Sequence, residues 1–192
     1  MEIAIVLFDG AEELDWAGPW EVFAAWRDGW PDDGIGVFTV ASTKEPVVCA
    51  KGLRVLADHT WETAPEADVV VWPGGRGTRP MLGDEEVRMR VRSLAERAEV
   101  MASVCTGALV YADAGLLAGR RATTHWGSLG RLAELGAEVD ADARWVDHGD
   151  VITSAGVSAG IDMALHLVAR LHSRERAAEV RRYIQYDPEP PV

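Results

Sequence analysis

Cys105 stands between two apolar runs in the stretch ASVCTGALV (102–110), where a strand is expected to stop and a helix to begin. A thiol placed there faces the unpaired N–H groups of a first helical turn and the positive end of the helix dipole, both of which favour a thiolate. Gly107 would relieve crowding in such a turn, as glycine does in hydrolase nucleophile elbows. The chemistry on offer is nucleophilic attack through sulfur. Cysteine is also among the most buried residue types, and simple packing accounts for its position equally well.

Two other stretches hold groups that would serve a reactive thiol. Pro73-Gly74-Gly75 would bring bare backbone N–H groups close to a reacting atom, so the amides of Gly75 and Thr106 are candidate oxyanion donors. A plain strand-to-loop turn explains the same residues. The acidic segment DGAEELDWAGP (9–19) offers Glu12, Glu13 and Asp15, and a carboxylate directed at Cys105 could hold a proton and pass it on. Asp15 lies nearest the expected helix start, where capping is its alternative role. Beside a thiolate it would be driven toward its protonated form, and the two groups would titrate together.

Around these candidates stand His125, Trp16 and Trp126. His125 follows a possible strand and either reaches the same edge or is only hydrogen-bonded in place. The two indoles either form an apolar wall suited to a neutral substrate or fill the core. Cys49, inside an expected hairpin, reads as structural. His59, His148, His166 and His172 lack ligand spacing, so no metal site is expected. The chain also has no glycine-rich phosphate loop with a Lys-Ser/Thr signature.

The elements that must position these groups alternate along the chain. Apolar runs at 2–8, 35–41, 68–72 and 100–104 read as strands, and 18–26, 84–98, 107–117, 158–173 and 173–186 read as helices, with Pro19 suited to a first turn. Segment 47–57 reads as a hairpin or a tight excursion and 144–156 as a hairpin, 121–126 begins another strand-like piece, and DPEPP (187–191) ends the chain's order. Strands alternating with helices predict a doubly wound, mainly parallel sheet flanked by helices, an α/β fold. In such sheets ligands bind beyond the carboxyl ends of the strands, where all three candidate loops fall.

Composition narrows the partners. The 192 residues suit one α/β domain spanning 1–192, and 48% apolar with 26% charged residues is the balance of a globular protein. With 19 Lys and Arg against 31 Asp and Glu the net charge is −12, a sign that repels nucleic acid and anionic membrane surfaces. Two cysteines make no disulfide framework, and the N-terminal apolar run is too short for a secretory signal, so a cytoplasmic location is expected. Eight Trp residues are many for this length.

The stretches LDWAGPWEVF (14–23), VVWPGGRGT (70–78), SVCTGALVYADAGLLAGRRATTHW (103–126), DVITSAGVSAGIDMAL (150–165) and YIQYDPEPP (183–191) resemble the ThiJ/PfpI superfamily over nearly the whole chain. The cysteine block with its ATTHW extension is the specific part, and within the superfamily it is most similar to the isonitrile hydratase (isocyanide hydratase) branch. The resemblance implies a flavodoxin-like, class I glutamine amidotransferase-like sandwich, a homodimer, and no metal or organic cofactor. It maps a nucleophile onto Cys105, a neighbouring hydroxyl onto Thr106 and a catalytic aspartate onto Asp15. Protease-like members place His directly after the nucleophile, where this chain has Thr106, and His172-Ser173-Arg174-Glu175 has the wrong spacing for an amidotransferase. The implied activity is hydration of a small neutral isonitrile to an N-substituted formamide through a covalent thioimidate. The alternatives are a glyoxalase or deglycase-like cysteine activity, with His125 as helper base, and a non-catalytic sensor of small molecules or oxidation.

Overall fold

The computed structural model describes residues 1–187. Its strands are β1 (Glu2–Val6), β2 (Gly36–Ala41), β3 (Val47–Val48), β4 (Arg54–Val55), β5 (His59–Thr60), β6 (Val69–Trp72), β7 (Val100–Val104), β8 (Arg121–Ala122), β9 (Glu138–Val139), β10 (Trp145–Asp147) and β11 (Val151–Ser154). Its α-helices are α1 (Glu13–Gly29), α2 (Glu85–Ala95), α3 (Gly107–Asp113), α4 (Leu129–Glu134), α5 (Ala159–Leu171) and α6 (Arg174–Tyr183).

Seven strands form one sheet in the order β10-β11-β7-β6-β1-β2-β5, parallel throughout except for the antiparallel β10–β11 pair. The doubly wound, mainly parallel α/β reading therefore holds. Parallel strands with helices on both faces must be apolar on both faces, and β6 and β7 are buried at every position. Alternate residues go to opposite sides. Ala4, Val70, Trp72 and Met101 meet Val91 of α2, the apolar residues of α3 and Leu132 of α4. Ile3, Ile5, Val71 and Val104 meet Phe23 and Trp26 of α1 and Met163 and Leu167 of α5. The β3–β4 and β10–β11 hairpins also form as expected.

Some boundaries differ. Helix α1 starts at Glu13, five residues before the expected start, so Pro19 lies inside it and not in its first turn. Glu13 and Asp15 in that first turn suit the helix dipole. Asp15 is consequently inside the helix rather than its cap; the N-cap is Glu12, without a side-chain bond. Helix α3 ends at Asp113 rather than near 117, and the strand expected from 121 lasts only two residues. The expected stop at DPEPP falls mostly outside the described residues. Among those described, no helix is long and apolar enough to cross a membrane.

Candidate active site

Cys105 follows β7 directly and precedes α3, with φ at +55°. A β-carbon-bearing residue in the left-handed region costs about 1–3 kcal/mol and persists only where its surroundings hold it there. Here the Cys105 N–H donates to the carbonyls of Ser154 and Ala155 at 3.2 and 3.1 Å, at the end of β11. Its own carbonyl accepts from Thr124 Oγ1 at 2.6 Å. The strained turn is thus anchored from two sides. A Cβ at Gly107 would run into the Trp72 carbonyl, so only glycine lets α3 start this close to β6.

Asp15 is fully buried. Its Oδ2 accepts from the Gly74 N–H at 2.9 Å. A Cβ at Gly74 would lie within 2.8 Å of Thr106 N, Thr106 Oγ1 and Asp15 Oδ2. Those three groups therefore close around one glycine, which explains the Pro-Gly-Gly sequence better than a generic turn does.

The electrostatics correct one expectation. Cys105 was expected to be a thiolate at neutrality, but burial, and next the neighbouring Asp15 charge, push its thiol up to about 12. The N–H groups of Thr106 and Val157 bond the sulfur and pull the other way without winning. Burial also raises Asp15 to about 7, against the pull of the Gly74 N–H and the Cys105 thiol. Because the two groups interact, these values belong to the pair. The pair sheds one proton near 7 and a second near 12. Over the interval between, the sulfur keeps its proton and Asp15 is the carboxylate. Asp15 is raised as expected, but by burial and not by a neighbouring thiolate, since the Cys105 thiol pulls it down.

The expected oxyanion donors divide. The Thr106 N–H faces the sulfur, whereas the Gly75 N–H donates to Thr106 Oγ1 at 2.9 Å and is not open to a ligand. A donor that the sequence did not disclose is Val157, whose N–H bonds the Cys105 sulfur and whose φ is +46°. A β-branched residue in that region is a genuine outlier. Nothing in the composition of Ser-Ala-Gly-Val (154–157) announces a left-handed valine.

His125 accepts from the Gly127 N–H through Nδ1 at 3.1 Å, capping a short 3-10 turn, and its ring lies against Gly156. It is not among the groups that set the charge of Cys105. Trp126 is 80% exposed, with its ring 5.3 Å from that of His125, so it is not a core residue. Both border a cavity of about 340 Å³ together with Thr124, Arg144, Gly156 and Val157. Thr124 and Val157 also bond Cys105, so this cavity adjoins the cysteine turn. Trp16 is half-buried and packs among apolar residues on both sides of the sheet. Among the described residues no group of three or more His, Cys, Asp or Glu side chains is arranged to hold a metal ion.

A strained cysteine thiol beside a buried carboxylate can deliver a nucleophile and return a proton to the atom attacked. Comparison with known proteins bears on which reaction that is. The model of the DJ-1/PfpI family matches residues 1–170. An isonitrile hydratase of Pseudomonas putida is 38% identical over 191 residues, covering 100% of this chain and 81% of that protein. The glutathione-independent glyoxalase DJR-1.2 of Caenorhabditis elegans is 27% identical over 145 residues, covering 74% of this chain and 77% of the relative. Among solved structures, a THiJ/PfpI family protein from Pseudomonas syringae superposes with a TM-score of 0.89 at 34% identity, covering 100% of this chain and 77% of that one.

Proposed function

We propose that this chain, which belongs to the DJ-1/PfpI family, is a cysteine-dependent hydratase that converts an isonitrile to an N-substituted formamide. What supports the reading is the placement of Cys105, in a strained turn, beside the fully buried Asp15 carboxylate that the Gly74 N–H holds. The similarity to an isonitrile hydratase over the full chain supports the choice of substrate class.

In the one-proton form, Asp15 draws the thiol proton as the sulfur attacks the terminal isonitrile carbon. A C–S bond forms, and the electron pair left on that carbon takes the proton back from Asp15, giving a thioimidate. Water then adds to the same carbon. Asp15, again a carboxylate, accepts one of the water's protons and delivers it to nitrogen. As the tetrahedral intermediate collapses, the C–S bond breaks and its electron pair returns to sulfur. The hydroxyl proton goes back to Asp15, which restores the one-proton pair. The formamide C–H thus derives from the enzyme and its N–H from water. The N–H groups of Thr106 and Val157 hold the charge on sulfur as it leaves. General acid–base help of this kind contributes roughly 10² to 10⁴ in rate. Burial of the pair favours a neutral substrate, because an anion would meet an already negative, desolvated site.

Incubation with an aryl isocyanide, following formamide by chromatography, tests the reading. Turnover that disappears in both Cys105→Ala and Asp15→Asn is expected. Turnover surviving Cys105→Ala eliminates covalent catalysis. The glyoxalase relative supports a second reading, which methylglyoxal turnover in the absence of isocyanide turnover would favour.

A further inference from the structure

The turn 155–158 joins β11 to α5 and carries Val157, whose N–H bonds the Cys105 sulfur. A valine does not hold φ at +46° by its own preference, so its neighbours must keep it there. The His125 ring fills one side of the turn, since a Cβ at Gly156 would lie 2.6 Å from its Cδ2. The hydrogen bonds come from Arg144, the residue just before β10. Its carbonyl accepts from the Ala155 N–H at 3.0 Å, and its Nη2 donates to Ser158 Oγ at 3.0 Å. Ser158 is the N-cap of α5, a place where a serine hydroxyl ordinarily bonds the first helical turn, yet it makes no capping bond and serves Arg144 instead. The guanidinium is itself held, because its Nε donates to Asp162 Oδ2 at 2.6 Å and the Tyr186 hydroxyl donates to Asp162 Oδ1 at 3.0 Å. Arg144 thus bonds the turn on either side of Val157.

We infer that Arg144 is a positioning residue: by tying Ser158 to the edge of the sheet it keeps Val157 left-handed and its N–H on the Cys105 sulfur. Release of the Ser158 end lets Val157 relax to negative φ, where a β-branched residue belongs. That rotation is about the bond from the Val157 nitrogen to its Cα, so it turns the 156–157 peptide relative to α5 and takes the N–H off the sulfur. The Thr106 N–H is then the donor that remains. A thiolate with one donor fewer forms less readily, although it attacks faster once formed. The inference concerns the free protein and holds whichever substrate the site takes.

A crystal structure of the Arg144→Ala variant tests the geometry without any activity. Val157 is expected at negative φ with its N–H away from the sulfur, and a Val157 still left-handed with its N–H on the sulfur overturns the inference. Alkylation by iodoacetamide in a Cys49→Ala background reads the consequence. Arg144→Ala is expected to lower the rate at about pH 9 by about threefold, a roughly tenfold smaller thiolate fraction being partly offset by greater nucleophilicity. The inflection near 7 belongs to Asp15, which Gly74 holds, and is expected to stay where it is. A displaced inflection would show that the whole site had shifted and would contradict the assigned role. Ser158→Ala leaves the charge of Arg144 in place and should give the same threefold loss. Combining the two changes should cost no more than either alone. A parental rate in Ser158→Ala, or losses that multiply in the double variant, show that Arg144 acts through some other group and sink the inference.

Discussion

The two cysteines of this chain are both buried and both have thiols raised by burial, yet only one is built as a reactive group. Cys49 lies beside the β3–β4 hairpin among Leu7, Ala41 and Val47, and its backbone exchanges ordinary bonds with Leu53 and Gly52. Glu13 and Asp9 add negative charge near its sulfur, and only the Trp16 indole opposes them. Cys105 has strained backbone, two N–H donors at its sulfur and a buried carboxylate able to take its proton. The contrast teaches that burial alone does not mark a silent cysteine. What separates the two is a place for the proton to go.

Exchanging the cysteines tests that contrast most severely. Cys105→Ala should lower hydratase turnover by on the order of 10⁴ or more, while Cys49→Ala should stay within about threefold of the parent. Comparable losses in the two variants would erase the distinction.

Removing the proton partner comes next. Asp15→Asn should lower kcat by about 10² to 10⁴, and it should also change how stability depends on pH. The folded pKa of about 7 lies above the ordinary 3.8, so folding favours the protonated acid. That contribution is complete below about pH 4 and disappears as pH rises through about 7, amounting to at most roughly 4 kcal/mol. Urea unfolding should therefore show Asp15→Asn more stable than the parent at about pH 8 and nearly level with it at about pH 4. An equal gap at both values would show that Asp15 is not buried as an acid.

Smaller effects sharpen the picture. Gly74→Ala places a methyl group against Thr106 and Asp15, and should cost about 1–3 kcal/mol in stability as well as slowing turnover. Cys49→Ala should cost only about 1 kcal/mol, read as a shift in the urea midpoint.

Much of the scaffold was legible because its signals are local. VVVW and VMASV read as strands, and β6 and β7 form there with every residue buried. Asp84 was readable as the start of a helix, and its side chain accepts from the N–H groups of Glu86 and Val87. The start of α1 was misread because Gly18-Pro19 looks like a boundary, although the acidic turn ahead of it had already begun the helix. Helix α4 was overlooked, since Gly127, Gly130 and Gly136 break up its apolar pattern. At the site, the convergence of Asp15, Gly74 and Thr106 followed from their loops lying at one sheet edge. Their electrostatics did not, because a thiol's charge depends on how completely neighbours exclude water, which spacing does not encode. The Gly75 N–H is open by sequence alone, because the Thr106 hydroxyl that occupies it comes from a segment 31 residues away. Val157 gives no sign in the sequence, since a β-branched residue's own preference runs against the left-handed backbone it adopts.

The claim that Asp15 takes the Cys105 proton is tested most directly by alkylating Cys105 with iodoacetamide in a Cys49→Ala background, from about pH 5 to about pH 10. The account predicts a rate that rises through an inflection near 7 in the parent, and an inflection displaced to alkaline pH when Asp15→Asn is added. An inflection that stays near 7 without the carboxylate would contradict it.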